Sequence, residues 1–218
     1  TVYATGQFVC VGARLDIGWD VYLQGEVQYG WDSYDVQRGI AFGAINRTAL
    51  SDYGGTHFAA SLRLGWEGIE AGGFLLSPHA GVNFYQTSTG AFAETGAGSL
   101  NLALPAQSYH TLEAEFGLTA HRAFDFGDGI GFDLDIAATG YAALDEDYAY
   151  ASSFADVPGS DFITPNRRDN ETFGELRLRL SHRFEEADAR LFLELQGTAS
   201  VNGDNMSAGV SAGYEISF

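Results

Sequence analysis

The stretch MSAGVSAGYEISF, Met206 to Phe218, decides the fold. Met206, Ala208, Val210, Ala212, Tyr214, Ile216 and Phe218 alternate without a break with Ser207, Gly209, Ser211, Gly213, Glu215 and Ser217. A period of two puts every apolar side chain on one face of an extended strand and every polar one on the other. Soluble termini usually fray in polar residues, whereas this pattern runs to a final aromatic ring.

The same alternation recurs in eight earlier segments, taken at every second position: Val9 to Ile17, Val21 to Trp31, Phe58 to Trp66, Phe74 to Phe84, Leu112 to Ala120, Ile130 to Gly140, Leu176 to Phe184 and Leu191 to Ala199. No apolar-phase position in these nine segments carries a formal charge. The other phase holds Arg14, Glu26, Arg63, Glu113, Glu115, Asp133, Asp135, Glu175, Arg177, Arg179, Arg183, Glu194 and Glu215, with His79, Asn83 and Gln196 among them. No heptad, helical stripe or short exact repeat interrupts the pattern, so the chain is expected to be strand and loop throughout.

Composition narrows the class. A chain of 218 residues with 45% hydrophobic and 14% aromatic content is not a disordered one. Its 29 acids against 11 bases give a net charge of -18, which argues against nucleic acid as a partner because phosphate binding needs clustered cations. Every base is arginine, a residue that keeps its charge and forks onto carboxylates. Cys10 stands alone, so neither an internal disulfide nor a CxxC metal site can form. The chain opens on Thr1 with no signal peptide, and is expected to be processed or a fragment.

Alternation leaves open whether the oily phase points inward, as in a soluble sandwich, or outward to lipid. Three features favour lipid. Tyr29, Trp31, Trp66, Phe84, Phe184 and Phe218 fall toward strand ends, as an interfacial girdle requires. The polar phase mixes both signs of charge with Gly and Ser, which suits a narrow wet bore. Finally, an arginine on the lipid face costs about 2–4 kcal/mol at mid-membrane, a penalty that would keep that phase uncharged.

Connections alternate in length, as in outer-membrane barrels with short periplasmic turns and long external loops. Gly18 to Asp20, Glu67 to Gly72, Asp125 to Asp128 and Glu185 to Asp188 are short; Gly39 to Gly55, Gln86 to about Ser99 and Asp145 to Asn170 are long. Only Asn202 to Asp204 is short on the long side. A second reading splits Ala91 to His121 at Pro105 and gives ten strands, at the expense of placing Gly39 to Gly55 in the periplasm.

The segments YLQGEVQYGWDSYDVQRGI, LLSPHAGVNFYQTSTGAFAETGAGSLNLAL, YHTLEAEFGLTAHRAF and SAGYEISF, in that order, resemble the C-terminal translocator barrel of the autotransporters, the type V secretion proteins of Gram-negative bacteria. The resemblance implies an all-β, transmembrane antiparallel barrel of the outer membrane that anchors and exports an upstream passenger to the cell surface. It implies twelve strands, of which nine or ten are present, so residues 1–218 are expected to form the barrel domain without its first strands and plug helix. Gly213, Tyr214, Ile216 and Phe218 match the family's terminal assembly signal, which implies recognition of the last strand by the barrel-assembly machinery. The expected partners are then the lipid bilayer, that machinery, and the protein's own passenger or plug helix.

Chemistry of other kinds has weaker support. No GxSxG, HExxH, phosphate loop or repeated metal spacing occurs, so no catalytic residue, metal or cofactor is expected. His57, His79, His110, His121 and His182 read as hydrogen-bonded bore or rim residues, with an outer-membrane hydrolase kept as the alternative and a plain porin or adhesin barrel beside it. Asp145, Glu146, Asp147, Asp156 and Asp161 fit a solvated loop better than a calcium site, and Arg167, Arg168 and Asp169 could fold over the mouth. Glu175, Arg177 and Arg179 share one face about 7 Å apart and are expected to meet Asp133, Asp135 or Glu194.

Overall fold

The structure, a computed structural model, describes residues 1–127, 131–144, 148–157, 159–166, 172–184, 189–203 and 205–216. Its wall is one antiparallel sheet built from β1 (Val2–Gly18), β2 (Val21–Phe42), β3 (Ile45–Trp66), β4 (Ile69–Ala71), β5 (Phe74–Thr89), β8 (Gln107–Asp125), β9 (Gly131–Ala143), β12 (Thr172–Phe184), β13 (Ala189–Ser200) and β14 (Met206–Ile216). The main path runs β1-β2-β3-β5-β8-β9-β12-β13-β14, and β4 pairs only with β5. Each strand on the path contains the core of one alternating segment, so the nine-strand reading holds. The ten-strand reading fails: residues 107–125 are a single strand, and the piece before Pro105 goes elsewhere.

Neighbouring residues show which phase faces what. Phe116 is 64% exposed and the adjacent Glu115 only 2%. Val11, Leu62, Leu64, Leu176, Leu193 and Val210 are exposed in the same phase as Phe116, while the buried apolar residues among those described are Tyr22, Ala49, Ala97 and Ala189. A water-soluble fold of this length would bury its Leu, Ile and Val at about 25 cal/mol per Å²; here they stand outside, where only hydrocarbon receives them without penalty. The sheet is therefore turned oily side out.

Aromatic rings bracket that apolar band. Tyr29 and Trp31 lie 5.9 Å apart near one end, with Phe58 and Phe84 6.1 Å apart beside them. Trp66 and Phe184 are exposed at the other end. From Phe58 to Trp66 is about 27 Å of strand at ~3.4 Å per residue, enough to cross a tilted hydrocarbon layer.

The two ends differ as the connections foretell, with one correction. Trp19 and Asp20, at φ 54° and 60°, make the two-residue turn with left-handed backbone that a right-twisted hairpin favours. At the opposite end, Gly39 to Gly55 is not a loop. β2 and β3 stay in register to the pair Phe42 and Ile45 and turn at Gly43, so Asn202 to Asp204 is not alone as a tight turn on that side. Alternation had ended near Trp31 because beyond the bilayer hydrocarbon no longer selects an oily phase, yet the backbone ladder needs no side-chain pattern to continue.

This hairpin carries a small second sheet, ordered β11-β10-β7-β6, from β6 (Phe92–Ala93), β7 (Leu102–Leu104), β10 (Tyr148–Phe154) and β11 (Phe162–Asn166). Tyr53 stacks on Phe92 with ring centroids 4.1 Å apart, and Tyr34 stacks on Tyr53 at 5.1 Å. Arg38 Nε donates to Glu94 at 2.9 Å and its Nη2 donates to the Leu100 carbonyl, while the Leu102 amide donates to Glu94 at 2.8 Å. Burial alone would raise the Glu94 pKa, but the Arg38 guanidinium and the Leu102 amide outweigh it and hold the carboxyl below its ordinary value.

Candidate functional site

The polar phase gathers on the inside of the curl. Glu26 on β2, Arg63 on β3, Asn83 on β5, Glu115 on β8 and Tyr141 on β9 line one cavity of about 290 Å³. In a flat sheet β2 and β9 would stand about 19 Å apart at ~4.8 Å per strand, so sharing one cavity requires the sheet to bend toward this face.

Glu115 is its centre. The carboxylate accepts from Arg63 Nε at 2.7 Å and Asn83 Nδ2 at 3.0 Å, and His79 Nε2 lies 3.3 Å away. Arg63 reaches Glu115 across β5, two ladders away, which is possible because strands β3, β5 and β8 place these residues in one pleat phase. Glu113, one step along β8, is buried beside it. Charge pairs held out of water in this way act on one another far more strongly than surface pairs.

The remaining charged residues form smaller groups. Glu26 accepts from the Cys10 thiol at 3.0 Å, and Arg14 bonds Asp16 and Glu67 at 3.1 and 2.9 Å while lying over the Tyr22 ring. On the far wing Arg177 donates to Glu175 at 2.8 Å, Gln196 donates to the same carboxylate at 2.9 Å, and Glu194 stands 3.9 Å from Arg177. Arg179 pairs with Glu215, across β13. Of the partners expected for Glu175, Arg177 and Arg179, Glu194 is met, 3.9 Å from Arg177, whereas among the described residues no ion pair joins these arginines to Asp133 or Asp135. Asp133 lies 3.7 Å from Arg190, two strands away, and Asp135 2.8 Å from His121, its direct partner on β8, although the register sets Arg179 of β12 opposite Asp135 as well. Arg183 lines a hollow with Asp133 and Arg190 at the short-turn end.

Every histidine has an identifiable contact: His57 Nδ1 with Asp32 at 2.9 Å, His79 with Glu115, His110 stacked on Phe84, His121 with Asp135, and His182 Nδ1 with the Gly131 carbonyl at 2.6 Å. Asp32, Arg38, Glu94 and Arg190 are contributors that the pattern of alternation missed, since three of them lie beyond it and Arg190 sits at a strand's first turn. Asp156 and Asp161 are exposed. The other calcium candidates, at 145–147, and the residues at 167–169 lie outside the described residues.

Near the chain's last strand the assembly motif acquires a packing reason. A Cβ on Gly213 would sit 2.5 Å from Phe192 Cζ, so that ring lies flat over the glycine, with the Arg179 guanidinium 3.9 Å above its other face. Tyr22 covers Gly65 in the same manner beneath Arg14. Tyr214 is exposed in the apolar phase, Ile216 closes β14, and Phe218 lies outside the described residues.

No curated protein matches this sequence. Among solved structures, the chain is similar to the translocator domain of the autotransporter NalP from Neisseria meningitidis, with a TM-score of 0.69 and 20% identity over 98% of this chain and 64% of that one. It thus spans less than two thirds of that domain, and the likeness is one of fold. A looser similarity, to the ferric preacinetobactin receptor BauA of Acinetobacter baumannii (TM-score 0.35, 12% identity, 98% of this chain, 43% of that one), supports no conclusion. The sequence model of the autotransporter beta-domain matches residues 2–196, from β1 into β13. Domains of this kind are transport barrels of the bacterial outer membrane and, in general, not enzymes. With a wall oily outside and ionic inside, and a family match along its length, the chain belongs to the autotransporter beta-domain family.

Proposed function

We propose that this chain forms the wall of an outer-membrane translocator that anchors in the bilayer and lets an upstream passenger reach the cell surface. The observation that carries the reading is the division of faces, with Phe116 out and Glu115 in on adjacent residues of β8. Arg14, Glu26, Arg63, Glu113, Glu115, Asp133, Asp135, Glu175, Arg177, Arg179, Arg183, Glu194 and Glu215 then line a wet bore, facing a passenger segment or plug helix. The barrel is a conduit, with no reaction or cofactor of its own.

Residues 1–218 act in this reading as one barrel domain completed by further strands. Among the described residues β1 and β14 each pair on one side only, and an unpaired strand edge in hydrocarbon costs several kcal/mol per backbone group. The open β14 edge, with Gly213, Tyr214 and Ile216, and the Phe218 that follows in sequence, is also what the barrel-assembly machinery would engage by strand addition. Protease shaving of whole cells making the full-length protein tests the proposal. Surface digestion of the passenger is expected, and its loss when residues 206–218 are deleted; a passenger that still reaches the surface without the barrel would overturn it.

A further inference from the structure

Arg122 breaks the rule that the outer phase is uncharged. Strand β8 runs to Asp125, past the end of its alternating segment, and Arg122 continues the phase of Leu112, Ala114, Phe116, Leu118 and Ala120. It stands at the short-turn rim, where β8 pairs Arg122 with Leu134 of β9 and the next partner in the phase, Phe124, with Phe132. Its guanidinium carbon lies 4.9 Å from the Phe124 ring centroid and 5.3 Å from that of Phe74, and a Cβ on Gly73 would be 3.4 Å away. Two rings and a bare backbone therefore flank the side chain.

No described residue uses the donors that this arrangement presents. Among the described residues Arg122 makes no hydrogen bond and no ion pair, whereas Arg14, Arg38, Arg63, Arg177, Arg179 and Arg190 each have a carboxylate. A stacked guanidinium keeps its in-plane N–H edge free, and that edge matches two oxygens of a phosphate. A hollow of about 530 Å³ adjoins it at the rim, between the outer-phase Phe74 and Arg122, the turn glycines Gly72 and Gly73, and Glu70, Leu75, His121 and Ala123 of the opposite pleat phase. At this depth an outward arginine costs only about 0–1 kcal/mol, against about 2–4 at mid-membrane.

We propose that Arg122, framed by Phe74, Phe124 and Gly73, is a binding site for the phosphate of a glycerophospholipid in the periplasmic leaflet. The guanidinium edge holds the phosphodiester, while the rings and the apolar face of β8 receive the glycerol and first acyl carbons. The inference rests on the barrel's standing in a bilayer with its short turns in the periplasm.

Native mass spectrometry of the full-length protein in detergent, titrated with phosphatidylglycerol, tests it. Arg122→Gln is expected to weaken lipid binding about tenfold and Arg47→Gln, at the opposite end, to leave it unchanged. Phe124→Leu keeps the charge but removes one wall, and about a threefold loss is expected, so the proposal stays testable if Arg122→Gln fails to fold. Unchanged binding in Arg122→Gln or in Phe124→Leu overturns the site, as does equal loss in Arg47→Gln. Displacement of the lipid by millimolar inorganic phosphate would assign the edge to a free anion and overturn the lipid. Insertion into liposomes is measured alongside: a wild-type barrel that does not insert refutes the membrane reading itself, whereas an inserted barrel whose lipid binding ignores Arg122 refutes the site alone.

Discussion

Glu115 on β8 and Glu215 on β14 occupy the same pleat phase of one sheet and each takes an arginine from two strands away, yet their side chains are 3% and 51% exposed. Glu115 sits mid-path, where β3 and β5 curl toward it and supply Arg63, His79 and Asn83. Glu215 belongs to the last strand on the path, which among the described residues is paired on one side only. The residue types are alike; what differs is how much sheet bends over each. Shielding on this face is a property of position in the curl, and the strength of a charge pair follows from it.

The largest effect that tests this contrast is loss of Arg63. Arg63→Met strands the Glu115 carboxylate with only neutral or titratable partners, and removing one member of a shielded pair costs about 3–5 kcal/mol. Thermal loss of the compact, heat-modifiable gel form should shift steeply downward. Arg179→Met, the equivalent change on the wing, is expected to cost about 1 kcal/mol or less. Equal losses would remove the distinction between the two regions.

Gly213→Val sharpens the comparison from the packing side, because the wing has tight contacts even where its charges are exposed. The added side chain would strike Phe192 and unseat Arg179 above it. Overpacking of this kind costs about 3 kcal/mol, to be read as a lower refolding yield. The double variant with Phe192→Ala should recover much of the loss; additivity would mean that the ring is not what excludes the side chain.

Outside the bilayer, Glu94 gives an intermediate case whose sign is fixed by its pKa. Since the folded carboxyl titrates below its ordinary value of 4.5, its stabilisation is complete above that pH and is lost as pH falls through the folded value. The clamp on Arg38 is worth about 2 kcal/mol. Limited proteolysis should therefore begin to nick residues 90–106 once the pH falls below 4.5, and Arg38→Ala should allow the same nicking at neutral pH while the membrane wall stays protected. Nicking that ignores both changes would show that the aromatic stack of Tyr34, Tyr53 and Phe92 alone holds the loop.

How far the sequence could be read follows the same physics. All nine strands of the main path were legible, because hydrocarbon on one side and water on the other impose a period of two on every residue that crosses. Where that constraint ends the signal ends: Gly39 to Gly55, beyond the hydrocarbon, read as a loop although it belongs to a paired hairpin. The charged phase was likewise visible, but not its partners, since Arg63 reaching over β5 to Glu115 depends on stagger and curvature that no single strand encodes. Arg122 escaped notice because the apolar segment was closed at Ala120, one pleat repeat short of the rim.

The smallest expected stability effect is the most informative for transport. Arg177 is 45% exposed on the wing and bonds Glu175, with Glu194 at 3.9 Å, so Arg177→Ala should change stability by about 0.5 kcal/mol or less. Arg177→Glu is different in kind, since it places a third carboxylate beside Glu175 and Glu194 without altering the backbone ladder or the oily face. Insertion and heat-modifiability should stay near wild type while single-channel conductance or passenger secretion changes. A reversed charge that leaves both unaltered would mean that this arm of the polar face only stiffens the wall, and that passage depends on the shielded cluster around Glu115 instead.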